Sequence, residues 1–236
     1  MEHSKKNNNT VICDYDGESA AGTEFRRLLH NMLNSSLVPD DSKSFLITSA
    51  TTGEGKSTIS ANLSVTAAIY KLKKTLLVDA DLRRPSLHNK FDVSRDNGLS
   101  DILGGRLKLE DSFKSTDLEN LWLLTSGTAS PNPTKLFDSD AIHEIVAASK
   151  FYFDLILIDC APVIPVSDPL LLGKDVDGIL MVVKAGVTPR EVCKRAADLI
   201  HESGSNLIGV AMNNMKEALP YYYNYRYYGY QYSPKK

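Results

Sequence analysis

The stretch SFLITSATTGEGKSTISANLSVTAAIY, residues 44–70, constrains the fold of this chain more than any other. A short apolar run gives way to a glycine-rich turn, and the turn runs straight into a segment with helical spacing. Gly53 and Gly55 allow successive backbone N–H groups to converge on one point, Lys56 adds a mobile cation, and Ser57 adds a hydroxyl. A turn so composed, placed between a strand and a helix N-terminus, is suited to hold phosphate. Against the pattern GxxxxGK[ST], Ala50 stands where the first glycine is expected, and the surroundings of Lys56 are intact. Thr52, Gly53, Glu54, Gly55, Lys56, Ser57 and Thr58 are therefore the candidate nucleotide-binding residues.

The same rhythm continues downstream. The runs at 45–49, 75–80, 121–125, 154–159, 178–183 and 207–212 are short, apolar and rich in branched residues, as strands buried on both faces are. Helical patterns over 56–71, 134–149 and 188–203 lie between them, which predicts an α/β fold, doubly wound, with a mostly parallel sheet and helices on both faces. Phe25, Leu28, Leu29, Met32 and Leu33 recur at helical spacing, so a further helix over 22–34 is expected to dock on the sheet. Neither end of the chain has a usable period. The expected organisation is a mobile N-terminal segment (1–19), one domain (20–219) and a tail (220–236).

At 236 residues, 42% hydrophobic and 24% charged with net charge −2, the chain can bury one sizeable core. No apolar run approaches the roughly 18 to 20 residues that cross a bilayer, and the polar start lacks a signal-peptide core, so a cytoplasmic location is expected. Cys13, Cys160 and Cys193 are too far apart for a CxxC pair, and the histidines have no metal-ligand spacing, which argues against zinc and against a disulfide framework.

Open α/β sheets place ligands at the carboxyl ends of their strands. TLLVDADLRRP ends its apolar run at Asp79 and Asp81, which at spacing i, i+2 share a side if the chain stays extended, and DLILIDCAP ends at Asp159. Such acids serve Mg²⁺, which takes one or two carboxylates alongside phosphate oxygens. For Arg83 and Arg84 two readings stand, a clamp on phosphate or on a partner chain and a solvated basic turn. Asn213, at the end of the last run, is either an adenine reader or a turn former.

ATTGEGKST, LLVDADLRRPSLHNKF, GLSDILGG, TSGTASPNPTKLF, LILIDCAPVIPVSD and DGILMVVKAGVT, in that order, resemble the bacterial tyrosine kinases (BY-kinases), the CpsD/CapB type of capsule and exopolysaccharide synthesis. The resemblance spans about residues 20–215. It implies a P-loop NTPase-like fold unrelated to that of HRD/DFG protein kinases, with ATP and Mg²⁺ as cofactors. By the same resemblance Lys56, Asp79 and Asp81 are the catalytic set, with Asp79 the base. Ser57, Asp81 and Asp159 serve the metal, and the roles of Asp79 and Asp81 are open to exchange. It further implies a homo-oligomeric ring built through a helical ExxRxxR motif. Here that motif reads Glu24, Arg27 and His30, histidine replacing the second arginine, and a solvated charged stripe is the other reading. A separate membrane activator would bring the kinase to the inner face of the membrane, with nucleotide-sugar enzymes among its protein substrates and no role for nucleic acid. The competing class is the MinD/ParA-like ATPase switch. Its signature lysine would fall at Thr51, and iron–sulfur carrier relatives would need a cysteine pair.

Eight of the eleven tyrosines, Tyr221, Tyr222, Tyr223, Tyr225, Tyr227, Tyr228, Tyr230 and Tyr232, crowd into twelve residues, too dense and uniform for a core element. Aromatic tails can stack on nucleic acid. Beside the resemblance, they read as autophosphorylation sites. Extended, the residues beyond Pro220 span about 50 Å, enough to reach a neighbouring copy.

Overall fold

The computed structural model describes residues 10–137 and 141–215. Seven strands form one sheet: β1 (Ser44–Ser49), β2 (Thr75–Asp79), β3 (Lys114–Ser115), β4 (Leu121–Leu124), β5 (Leu155–Asp159), β6 (Gly178–Lys184) and β7 (Leu207–Asn213). Their spatial order is β3-β4-β2-β5-β1-β6-β7, parallel throughout except that β3 runs antiparallel to β4 at the edge. The helices are α1 (Val11–Asp14), α2 (Ala20–Leu33), α3 (Lys56–Tyr70), α4 (Leu87–Lys90), α5 (Leu99–Leu103), α6 (Pro133–Phe137), α7 (Ala141–Tyr152), α8 (Asp168–Leu172) and α9 (Arg190–Glu202). β1 lies where the chain reverses its direction of strand addition, with β2 and β4 to one side and β6 and β7 to the other. The crevice at such a point is where this fold class binds ligands.

Alternation along the strands divides the apolar residues between two cores. Phe45, Ile47, Leu77, Leu155 and Leu157 meet Leu29 and Met32 of α2 and Leu63 of α3 on one face. Leu46, Leu76, Ile156, Ile158 and Ile179 meet Ile142 and Ile145 of α7 and Ile200 of α9 on the other. Both faces are covered, which is why the strand sequences are nearly unbroken apolar runs. Among the described residues no helix is long and apolar enough to cross a membrane.

The structure departs from the sequence reading in three places. β3 has only two residues and no period to detect; it exists because Lys114 and Ser115 pair with Leu123 and Trp122. The segment expected as a helix over 134–149 comprises α6 and α7 and runs on to Tyr152, with residues 138–140 outside the described residues. Residues 10–19, assigned to a mobile segment, are packed instead. Thr10 caps α1 through a bond from Cys13 N–H, Tyr15 Oη meets Thr66 Oγ1 of α3 at 2.8 Å, and Ser19 caps α2 through Gly22 N–H.

Leu157 is fully buried on the central strand pair. Leu157→Ala is expected to cost about 3 kcal/mol through lost contacts and the cavity left behind, read as a lower denaturation midpoint with an unchanged slope.

Candidate active site

The glycine-rich turn leaves β1 at Ser49 and enters α3 at Lys56. Gly53 and Gly55 have φ of 78° and 94°, in the left-handed region where glycine carries no steric cost. At Gly55 the need is double, because a Cβ there would lie 2.2 Å from Asn213 Nδ2. The turn thus hands its N–H groups to the N-terminus of a fifteen-residue helix, whose dipole favours an anion. Thr52, Gly53 and Thr58 are exposed, and Lys90 Nζ is 3.4 Å from Thr58 Oγ1. The Glu54 side chain turns inward, where it accepts from Thr51 N–H at 2.9 Å and from the Thr188 hydroxyl. Asn213 donates Nδ2–H to the Glu54 carbonyl at 2.9 Å and accepts from Asn214 N–H, so the end of β7 is tied to the turn.

Three acids converge beside it. Parallel pairing sets Asp79 level with Asp159, both fully buried. Asp81, just beyond β2, accepts from Lys56 Nζ at 2.7 Å and from Arg84 N–H at 3.0 Å. Asp79 and Asp81 do not act as one extended pair. Asp79 Oδ2 is held by Ser86 N–H and Leu87 N–H at the start of α4, and Asp81 turns to the lysine. Ser60 donates to Asp159 Oδ1 at 3.2 Å.

Burial, reinforced by Asp159, pushes Asp79 up to about 7 against the two α4 N–H groups that favour its charged form. Burial likewise raises Asp159 to about 6 despite Lys56 and the Ser57 and Ser60 hydroxyls. For Lys56 burial pulls downward, and the charges of Asp159 and Asp81 outweigh it, so the ammonium is held above its ordinary value. Asp79 Oδ1 and Asp159 Oδ2 are buried without a hydrogen-bond partner among the described residues. Lone pairs with no donor in a carboxylate cluster fit a cation or its water shell. No group of three or more His, Cys, Asp or Glu among the described residues could hold a metal by itself, and Mg²⁺ bound mainly through phosphates needs none.

A cleft of about 260 Å³ opens over this cluster, lined by Thr52, Gly53, Lys56, Asp81, Arg84 and Pro162 among others. Arg83 at its margin is anchored. Its Nε meets buried Asp168 Oδ2 at 3.0 Å, and Thr134 bridges both groups. Arg83 and Arg84 are both exposed, and Arg83 differs from a purely solvated turn residue in its ion pair to buried Asp168. Sequence reasoning missed Asp168, Thr134, Ser60 and Thr188. Their only signal was polarity, which Ser, Thr and Asp display at any turn.

Residues 45–218 match the CobQ/CobB/MinD/ParA nucleotide binding domain. Over 219 residues the chain is 35% identical to the tyrosine-protein kinase YwqD of Bacillus subtilis, covering 93% of this chain and 91% of that one. The chain belongs to the bacterial tyrosine-protein kinases. Two solved structures agree: the kinase domain of Escherichia coli tyrosine kinase ETK (TM-score 0.83, 26% identity, 89% of this chain and 82% of that chain) and the chimerical protein CapA2B2 (TM-score 0.78, 33% identity, 87% and 89%). The kinase carries the nucleotide-binding P-loop fold expected from its sequence.

On α2, Arg27 Nη1 lies 2.6 Å from Glu24 Oε1, and exposed His30 sits one turn further on, its Nδ1 3.3 Å from Asn34 Nδ2. The tyrosine cluster at 221–232 lies outside the described residues.

Two expectations follow. Gly55→Ala should abolish nucleotide binding while the far-ultraviolet dichroism is kept. Because Asp79 and Asp159 have folded pKa values raised above the unfolded value near 3.9, the folded state binds more protons between about pH 4 and 7, and stability rises as pH falls through that window. In EDTA the kinase should melt at a higher temperature at pH 5.5 than at pH 8. Asp79→Asn should flatten that slope and stabilise the protein at pH 8 by on the order of 1 kcal/mol; a melting temperature that falls on acidification contradicts the assignment.

Proposed function

We propose that the kinase transfers the γ-phosphoryl group of ATP to tyrosines of its own 221–232 cluster, one copy acting on the next. The observation that carries this is Asp79, a buried carboxylate held near pKa 7 with one oxygen unpartnered among the described residues, level with Asp159 and two residues before the Asp81 that pairs with the lysine of the phosphate loop. A tyrosine hydroxyl has a pKa near 10, so a base poised near neutrality is matched to accept its proton as the new O–P bond forms and the bond to the ADP oxygen breaks. Lys56, now paired with Asp81, would exchange that partner for phosphate oxygens and neutralise charge on the transferring group, with the loop N–H groups beside it. Mg²⁺ would be held by Ser57, Asp81 and Asp159 together with the nucleotide, and when bound would supply positive charge that offsets that of the phosphates. Arg84 is free to meet the incoming chain.

The purine is placed in a groove of about 590 Å³ between α2 and β7, lined by Phe25, Ile59, Met212 and Asn213 among others. Its apolar walls suit a flat ring. Asn213, at the junction of groove and loop, could exchange its bond to Glu54 for one to the base. Glu24, Arg27 and His30 present an exposed face for a neighbouring copy, with the weaker partly charged histidine at its end. A separate membrane activator, a role in capsule or exopolysaccharide synthesis and protein substrates such as nucleotide-sugar enzymes complete the reading, on the strength of the CapB and CpsD relatives, each 34% identical.

Incubation with Mg²⁺-ATP followed by peptide mass analysis is the test. Phosphates on the 221–232 peptide, absent from Lys56→Met, are expected, and Arg27→Ala should lower their yield several-fold if copies act on one another. ATP hydrolysis with an unmodified tail, even with the activator's cytoplasmic segment fused on, would instead favour a MinD/ParA-like switch.

A further inference from the structure

A carboxylate in the middle of a phosphate-binding turn is electrostatically costly, since it adds negative charge close to the anion the turn must hold. Glu54 is only 2% exposed, so solvent does not relieve that cost. Its bonding pattern is that of an ionised acceptor. One oxygen accepts from Thr51 N–H, the other from the Thr188 hydroxyl, and Thr188 Oγ1 in turn accepts from Lys184 N–H, which leaves its own proton for Glu54. The carboxylate spans the turn's first residues and the loop between β6 and α9. Asn213 holds the backbone carbonyl of the same residue from the end of β7, and Gly55 closes against that amide. Two segments far from the turn in sequence, the β6–α9 loop and the end of β7, thus converge on one residue.

We propose that Glu54 is a positioning residue that braces the phosphate loop through Thr51 and Thr188, and that its negative charge weakens the loop's grip on nucleotide so that ADP leaves after transfer. Shape and charge then have separable consequences. Glutamine preserves both bonds, its carbonyl accepting from Thr51 N–H and its amide donating to Thr188, and it removes the charge. Alanine removes both. The inference rests on the nucleotide-loop reading of residues 50–58 and is independent of what receives the phosphate.

The test is equilibrium binding of a fluorescent ADP to the full chain with Mg²⁺, alongside steady-state kinetics. Glu54→Ala is expected to weaken ADP binding about tenfold, and Thr188→Val, which keeps the charge and breaks the brace, to weaken it several-fold, with Thr188→Ser restoring it. Glu54→Gln is expected to bind ADP several-fold more tightly than the natural protein and to show a lower KM for ATP, lower kcat and stronger product inhibition. A glutamine variant that binds no better than the natural protein, or as poorly as the alanine variant, overturns the charge assignment. Binding by Glu54→Ala and Thr188→Val equal to the natural protein overturns the brace. If the natural protein itself binds no ADP, the nucleotide-loop reading fails first and the brace with it.

Discussion

The Lys56 ammonium stands among three buried carboxylates, and most of the site follows from that imbalance. Asp81 takes the ion pair, Asp159 contributes field without a direct bond, and Asp79 is left to α4 N–H groups. Burial pushes protons onto Asp79 and Asp159. The helix N–H groups oppose this at Asp79 and the lysine opposes it at Asp159, leaving the two at about 7 and about 6, which suits groups that must accept a proton or a cation near neutral pH. Phosphate entering the loop adds negative charge to the same volume and shifts the balance toward cation uptake. Nucleotide and metal should therefore bind as one event.

The carboxyl edge around this cluster is fixed by polar ties between loops. Arg83, Asp168 and Thr134 bind the loop after β2 to α6 and α8. Asp101 accepts from Gly98 and Thr128 N–H and from Arg106, and these bonds outweigh its burial and hold its carboxyl at about 2. Lys114 reaches the Asp96 and Asn97 carbonyls and the Thr125 hydroxyl. A short edge strand thus anchors a loop whose Asp92 and Asn97 adopt positive φ.

Much of this was legible in advance. The six parallel strands, the helices over about 56–71 and 188–203, and the gathering of Asp79, Asp81 and Asp159 at strand ends near the glycine-rich turn follow from apolar periodicity and from the rule that ligands sit at the carboxyl ends of the strands. The two-residue β3 was not legible because pairing, not pattern, creates it. Nor were the inward turn of Glu54 and the divergence of Asp79 from Asp81. Those depend on where Thr188 and the start of α4 lie in space, over a hundred residues away for the first and seven or eight for the second.

The level pairing of Asp79 with Asp159 has a consequence beyond the site. Side chains alternate across a sheet, so a one-residue slip between β2 and β5 would turn every side chain of one strand to the opposite face, carrying one of the two acids away from the site and exchanging that strand's apolar residues between the two cores. The same strand alignment thus sets both the packing of the two cores and the meeting of the acids, so packing enforces the register that the chemistry needs.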